Sequence, residues 1–379
     1  MHCTLKMIGV ERKCHMKPQE HFHGSDLEKI EVIYGIKRED IIGFSANVNP
    51  LGISKKLRTA LADRVEAITE YPDREYTSLR RGIATYIDGD MDHILVGNGA
   101  TELISLFIQM IQPKKALLVA PTYSEYEREI SLQGGVCESY ELKERDNFCL
   151  DTLDLANHLT DDLDLLVICN PNNPTSTAIP VSQMKEILNL CKEKNIYCMV
   201  DETYVEFVKN VAEITSCSLV NSHDNLIILR GTSKFFAAPG LRLGYAVCGN
   251  KELVTLVNKR KNPWTINTLA AIAGEIMFSD KDYIRETRDL IDNERDYIYN
   301  ILSSCKNIKV YTPSANFVLV KILKEGLTSD MIFDAAIKKG FMIRDCSSFE
   351  FLDNSFIRFC FMMPEANRKL LELLSELLY

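Results

Sequence analysis

From about residue 92 to residue 250 the chain sets short, continuously apolar runs against longer amphipathic ones. HILVGNG (93–99) leads into ATELISLFIQMI, KALLVAP (115–121) into YSEYEREISLQ, and DLDLLVICNP (162–171) into VSQMKEILNLCKEKN. YCMVDE (197–202), NLIILRG (225–231) and GYAVCG (244–249) add three further strand-like runs. This β-α repetition predicts a mostly parallel sheet with helices on both faces. Ligands of such sheets bind beyond the carboxyl ends of the strands, so the polar residues there are the ones to inspect.

After Trp264 the pattern changes. Helical INTLAAIAGEIMF and DKDYIRETRDLIDNERDYIYNILSS are followed by strand-like KVYTPSANFVLVKI, helical MIFDAAIKKG, then FMIRDC, FIRFCFMM and a closing helix, EANRKLLELLSELLY. An α+β unit is expected there. Residues 17–50, ending in FSANVNPLG, read as an arm that wraps rather than a domain. The expected division is an N-terminal arm (1–50), a large domain (51–260) and a small C-terminal domain (261–379) on which the arm packs. No repeat, low-complexity run or Gly/Pro/Ser-rich linker separates them.

Composition narrows the function classes. In 379 residues, 46% are hydrophobic and 26% charged, the ordinary globular balance. The net charge of −9 disfavours a broad grip on nucleic acid. No apolar run approaches the ~18 residues of a membrane span, and the N-terminus lacks the apolar core of a secretory signal. Met16 is a second candidate start, which would make the first fifteen residues an artefact of the gene model. Twelve cysteines lie without framework spacing, several of them in apolar runs (Cys169, Cys198, Cys248, Cys360), which fits a reducing cytoplasm. His2, Cys3, Cys14 and His15 match no usual zinc spacing, so no metal is expected.

The candidate chemistry sits at the strand ends. GNGATE (97–102) ends a strand and opens a helix, where free N–H groups hold an anion; Glu102 stands where a dinucleotide fingerprint needs its third glycine. Tyr123, Asn170-Pro-Asn-Asn173-Pro174, Asp201 with Tyr204, Thr232-Ser233-Lys234 and Arg242 follow in order. Singly each is ambiguous: Asp201 fits a helix cap, Lys234 a surface charge, Arg242 a structural ion pair. Together, N-P-N-N-P, D-E-x-Y and S-K-x-x-x-x-P-G-L-R-x-G resemble the fold-type I pyridoxal-phosphate enzymes, the aspartate aminotransferase superfamily, from about residue 40 to the C-terminus.

The resemblance implies an α/β three-layer sandwich with a mostly parallel seven-stranded sheet plus a smaller α+β domain. It implies pyridoxal 5′-phosphate as cofactor, Lys234 as the lysine that condenses with its aldehyde, and Asp201 as the carboxylate that keeps the ring nitrogen protonated. Asn173 and Tyr204 then face the ring oxygen, Tyr123 stacks on the ring, and Gly99, Ala100, Thr101, Thr232 and Arg242 hold the phosphate. Tyr71, in YPDREY, matches a tyrosine that reaches the neighbouring subunit's phosphate, implying a homodimer with shared active sites. Ser176 stands where the superfamily usually has glycine, a departure that concerns turn geometry.

Two subgroups are similar, L-threonine-O-3-phosphate decarboxylase of cobalamin biosynthesis and histidinol-phosphate aminotransferase. The aminotransferases tend to carry N-E-N-P where this chain has Asn47-Val48-Asn49-Pro50, and His23-Gly24-Ser25 resembles the decarboxylase H-G-G. KFFAAPGLRLGY, PWTINTLAAIAGE and MIRDCSSFEFLDNSFIRF extend that resemblance, so the decarboxylase is the favoured expectation and the aminotransferase the alternative. A non-catalytic regulator of the same fold is disfavoured because Lys234 and Asp201 are both retained. Arg358 matches the superfamily's carboxylate-binding arginine. His23 and Arg344 match residues that the decarboxylase presents to its substrate phosphate, and Asn173 completes the substrate set. The expected ligand is a small phosphorylated amino acid or amino alcohol.

Overall fold

The structure, a computed structural model, describes residues 26–378. His23 and the His2, Cys3, Cys14, His15 group lie outside the described residues. Seven strands form the main sheet: β1 (Ile94–Gly97), β2 (Lys115–Ala120), β3 (Val136–Glu141), β4 (Leu165–Cys169), β5 (Tyr197–Asp201), β6 (Leu226–Gly231) and β7 (Gly244–Cys248). Their order is β1-β7-β6-β5-β4-β2-β3, and β7 runs antiparallel to both of its neighbours while the others are parallel.

The α/β class and the mostly parallel sheet are as expected. Side-chain alternation explains why six of the strands read as unbroken apolar runs: Leu118, Val167, Met199 and Ile227 join one core, while Leu117, Leu166, Cys198 and Ile228 join the other. Both faces are covered, so the strand interiors are apolar, with Lys115, Asp201 and Arg230 at or near strand ends. The seventh, β3, carries no such run. It is one of the two edge strands, VCESYE, and the solvated one, with Val136 63% exposed. Half-solvated polar edges are usual, and they are silent in a hydrophobicity pattern.

A second, antiparallel sheet holds β8 (Ile308–Val310), β9 (Phe317–Ile322), β10 (Arg344–Asp345) and β11 (Phe356–Cys360) in the order β10-β11-β9-β8. The run KVYTPSANFVLVKI is thus two strands joined by a loop. The segment before residue 50 contains a helix, Leu27–Tyr34, and then runs along this sheet: Ile42 bridges Phe341, and the Cys360 N–H donates to the Phe44 carbonyl at 2.8 Å. Helix Thr268–Met277 instead packs on helices Lys55–Asp63 and Thr77–Ile87. Gly274 permits that approach, since a Cβ there would fall 2.4 Å from a Leu79 methyl. Among the described residues no helix is long and apolar enough to cross a membrane.

Candidate active site

The carboxyl ends of β4, β5 and β6 open into a cavity of about 520 Å³, roofed by β10, β11 and the loop after β10. Its wall includes Ala100, Thr101, Tyr123, Asn173, Asp201, Tyr204, Lys234, Arg242, Arg344 and Arg358. Most of the expected set, widely separated along the chain, is therefore brought to one place.

At the floor, Asp201 ends β5 and is 6% exposed. Its Oδ2 accepts a 2.6 Å hydrogen bond from the Tyr126 hydroxyl, and its Oδ1 accepts from the Thr203 amide (2.9 Å) and hydroxyl (2.5 Å). Burial pushes its pKa up while these donors pull it down, with burial the larger effect. Lys234 follows β6, and its Nζ donates to the Ala46 carbonyl at 2.7 Å. Desolvation first, and then the Arg358 guanidinium, lower the lysine to about 8. Tyr123 lies in the wall, its hydroxyl pushed up to about 12 chiefly by burial, and its ring meets that of Tyr126 edge-on at 5.6 Å.

One end of the cavity is an anion cradle. Gly99 precedes helix Ala100–Ile111 with φ +80, a backbone conformation that suits glycine. A Cβ there would lie 2.6 Å from Arg242 Nη2. Only glycine lets that guanidinium close on the helix N-terminus, which supplies N–H donors and a positive dipole end. Glu102 has a structural role here. Its carboxylate accepts from the Asn98 amide at 2.6 Å and from the Thr265 hydroxyl, closing the turn from which a third glycine is missing.

One residue expected in this cavity is placed elsewhere. Thr232 is fully buried, its hydroxyl donating to the Leu243 carbonyl at 3.0 Å, and it is Ser233 that lines the cavity. Side chains alternate at a strand end, so neighbours face opposite ways. Tyr71 is outside this chain's own cavity; 81% exposed, its ring lies 4.9 Å from that of Trp264.

At the roof, Arg344 and Arg358 are register partners on β10 and β11, with both side chains in the cavity wall. Arg358 donates to Asn173 Oδ1 and, at 2.6 Å, to the Ser45 carbonyl; its Nε is buried without a partner. Arg344 donates to Ser348 Oγ at 2.9 Å. Tyr204 is buried against Phe317, accepts from Asn47 Nδ2 at 3.3 Å, and has its pKa raised by desolvation. Asn47, Tyr126, Thr203 and Ser233 are site residues that the sequence pattern does not single out. Tyr126 carries a weak signal, lying three residues after Tyr123, and Ser233 adjoins the lysine.

These residues fit pyridoxal phosphate. The glycine-permitted cradle with Arg242 suits a phosphate, Asp201 a protonated ring nitrogen, and Lys234, lowered toward neutrality, an aldehyde. Asn47 Oδ1, Thr122 Oγ1 and Arg358 Nε, buried in this wall without partners, are capacity for a ligand.

Known proteins agree with that chemistry. The family model for aminotransferase class I and II matches residues 39–374. A Caldanaerobacter subterraneus protein provisionally named threonine-phosphate decarboxylase is 35% identical over 332 residues, covering 88% of this chain and 89% of its own. The histidinol-phosphate aminotransferase of Methanococcus maripaludis is 30% identical over 357 residues, covering 93% and 94%. Among solved structures, the histidinol-phosphate aminotransferase from Clostridium acetobutylicum superimposes with a TM-score of 0.82 at 33% identity, covering 88% of this chain and 98% of that one. With its cavity chemistry and this match across most of its length, the chain belongs to the aminotransferase class I and II family, and it is a pyridoxal-phosphate-dependent enzyme.

Proposed function

We propose that the enzyme decarboxylates L-threonine O-3-phosphate to aminopropanol phosphate, the step known from cobalamin biosynthesis. The observation that carries this reading is the Arg344–Arg358 pair, two guanidiniums in register across β10 and β11 beside Lys234. Like charges opposite one another in a sheet are destabilising, so the pair favours a ligand with two anionic ends. Threonine phosphate has a carboxylate and a phosphate. Histidinol phosphate has no carboxylate, so its phosphate alone would face both arginines. Val48 in Asn47-Val48-Asn49-Pro50 supports the same choice.

When bound, pyridoxal phosphate supplies an electron sink for the bond broken at the substrate Cα. Asp201 would hold the proton on the ring nitrogen, and Tyr204 and Asn173 would hydrogen-bond the ring oxygen. Thr101, Ser233 and Arg242 with the helix N-terminus take the cofactor phosphate. Arg358, braced by Asn173 and Ser45, would orient the substrate carboxylate, and Arg344 would take the substrate phosphate, a role the resemblance also gives to His23. Lys234 would carry a proton to Cα after carbon dioxide leaves. Arg358 would favour one reaction over the other by where it holds the substrate carboxylate.

The enzyme works as a homodimer in which Tyr71, outside its own cavity, serves the neighbour's phosphate site. Its cysteines, all unpaired among the described residues, suit the cytoplasm. Purified enzyme given L-threonine O-3-phosphate alone should release carbon dioxide and form aminopropanol phosphate. Arg344→Gln should weaken phosphorylated ligands by about 1.5–3 kcal/mol and leave unphosphorylated ones unchanged. Consumption of histidinol phosphate only with 2-oxoglutarate, yielding glutamate and no gas, would establish the aminotransferase instead.

A further inference from the structure

Asp201 has a hydrogen-bond partner that the mechanism above does not use. Tyr126 is fully buried on helix Glu125–Leu132, and its hydroxyl donates to Asp201 Oδ2 at 2.6 Å. Thr203 occupies the other oxygen, Oδ1, through its amide and hydroxyl. The carboxylate is thus gripped from both sides, by β5's own turn and by a helix 75 residues away in sequence. A buried carboxylate with too few donors takes up a proton, and a neutral one cannot sustain a positive charge on the cofactor ring.

We propose that Tyr126 is a positioning residue whose hydroxyl keeps the Asp201 carboxylate anionic and aimed for the cofactor's ring nitrogen. Other titratable groups around Asp201 do not duplicate this. Tyr123, Cys169 and Tyr204 all have raised pKa values and stay neutral, Lys234 donates to the Ala46 carbonyl, and Glu202 is paired with Arg230. Tyr126 is also within reach of the Cys169 thiol, but a thiol is a weak acceptor beside a carboxylate.

The inference rests on the reading that Asp201 faces the ring nitrogen, so the test carries Asp201→Asn in parallel. The readouts are the pH midpoint of the visible chromophore that the cofactor forms with Lys234, and cofactor loss on dialysis. A positive ring nitrogen lowers that midpoint. Tyr126→Phe, which keeps the ring and its packing on Tyr123, should raise the midpoint by about half a pH unit or more and speed cofactor loss by about tenfold. Tyr126→His, which returns an N–H donor, should recover part of both. If Asp201→Asn moves the midpoint and Tyr126→Phe does not, the proposal is overturned. Equal effects of Phe and His also overturn it, because returning a donor would then restore nothing. An unmoved midpoint in Asp201→Asn would instead defeat the reading of Asp201 itself.

Discussion

Lys234 shows how one residue's surroundings set its chemistry. An ordinary lysine is almost wholly protonated at neutral pH, and the ammonium cannot attack an aldehyde. Burial and Arg358 bring Lys234 down to about 8, so half of it is the free amine there. Because the deprotonated form reacts, the rate at which apoenzyme takes up pyridoxal phosphate should climb to about pH 8 and then level. A rate still climbing at pH 10 would mean an unperturbed lysine. Borohydride should then fix the cofactor on the peptide containing Lys234, and Lys234→Ala should form no such adduct. Ser176 makes a comparable point about the backbone. It holds φ +63, a region where glycine is at ease, but its Oγ accepts from the Ala315 amide at 3.0 Å. Strain and hydrogen bond roughly offset. Ser176→Gly should therefore change stability by less than about 1 kcal/mol, whereas Ser176→Ala, keeping the strain and orphaning the buried amide, should cost about 1–3 kcal/mol in denaturant unfolding.

Behind the cavity, the end of β5 and β6 are tied by a charge cluster, with Glu202 next to Asp201 in the chain. Arg230, Glu202 and Glu206 are all under 4% exposed. Arg230 donates to Glu202 Oε2 at 2.8 and 3.1 Å and lies 3.5 Å from Glu206. One guanidinium neutralises one carboxylate, and Glu202 has the shorter bonds and a further donor in the Ser216 amide. Glu206 is left with an unpartnered Oε2, and burial pushes it up to about 7. Its folded value lies above the unfolded value of about 4.3, so the folded state binds the extra proton between them. That stability is present below pH ~4.3 and is lost as pH rises through about 7. Glu206→Gln does not titrate. Its stability relative to the parent should rise from pH 5 to about pH 7 and stay level above, measured by urea unfolding at each pH. A constant difference would show Glu206 ionised throughout.

At the level of the assembled protein, the exposed Tyr71–Trp264 pair is the feature one chain leaves unexplained. Arg74 stands over the Trp264 ring at 5.8 Å, so aromatic and cationic surface is gathered on one exposed spot. Such side chains are enriched where proteins meet. Sedimentation should give a dimer, and Tyr71→Phe should weaken cofactor retention without changing the fold. A strictly monomeric protein with full activity would refute the shared site.

The strand interiors were legible in the amino-acid order, since both faces of the main sheet are covered and positions in the middle of a strand must be apolar. So were the residue types of the cofactor site, because aldehyde, ring nitrogen and phosphate each demand a particular chemistry at a strand end. The polar edge strand β3 was not, because a solvated edge carries no apolar signature. Which side chains turn inward was settled by packing in three dimensions: Ser233 and not Thr232, and Tyr71 away from its own cavity. Packing also joined Tyr126 to Asp201 across 75 residues, Arg358 to Asn173 across 185 and Arg358 to Ser45 across 313. Those pairings depend on how strands stack and register, which local periodicity does not encode. Arg344 faces Arg358 only because β10 and β11 pair in that register, and a slip of one residue would turn one of them to the other face of the sheet.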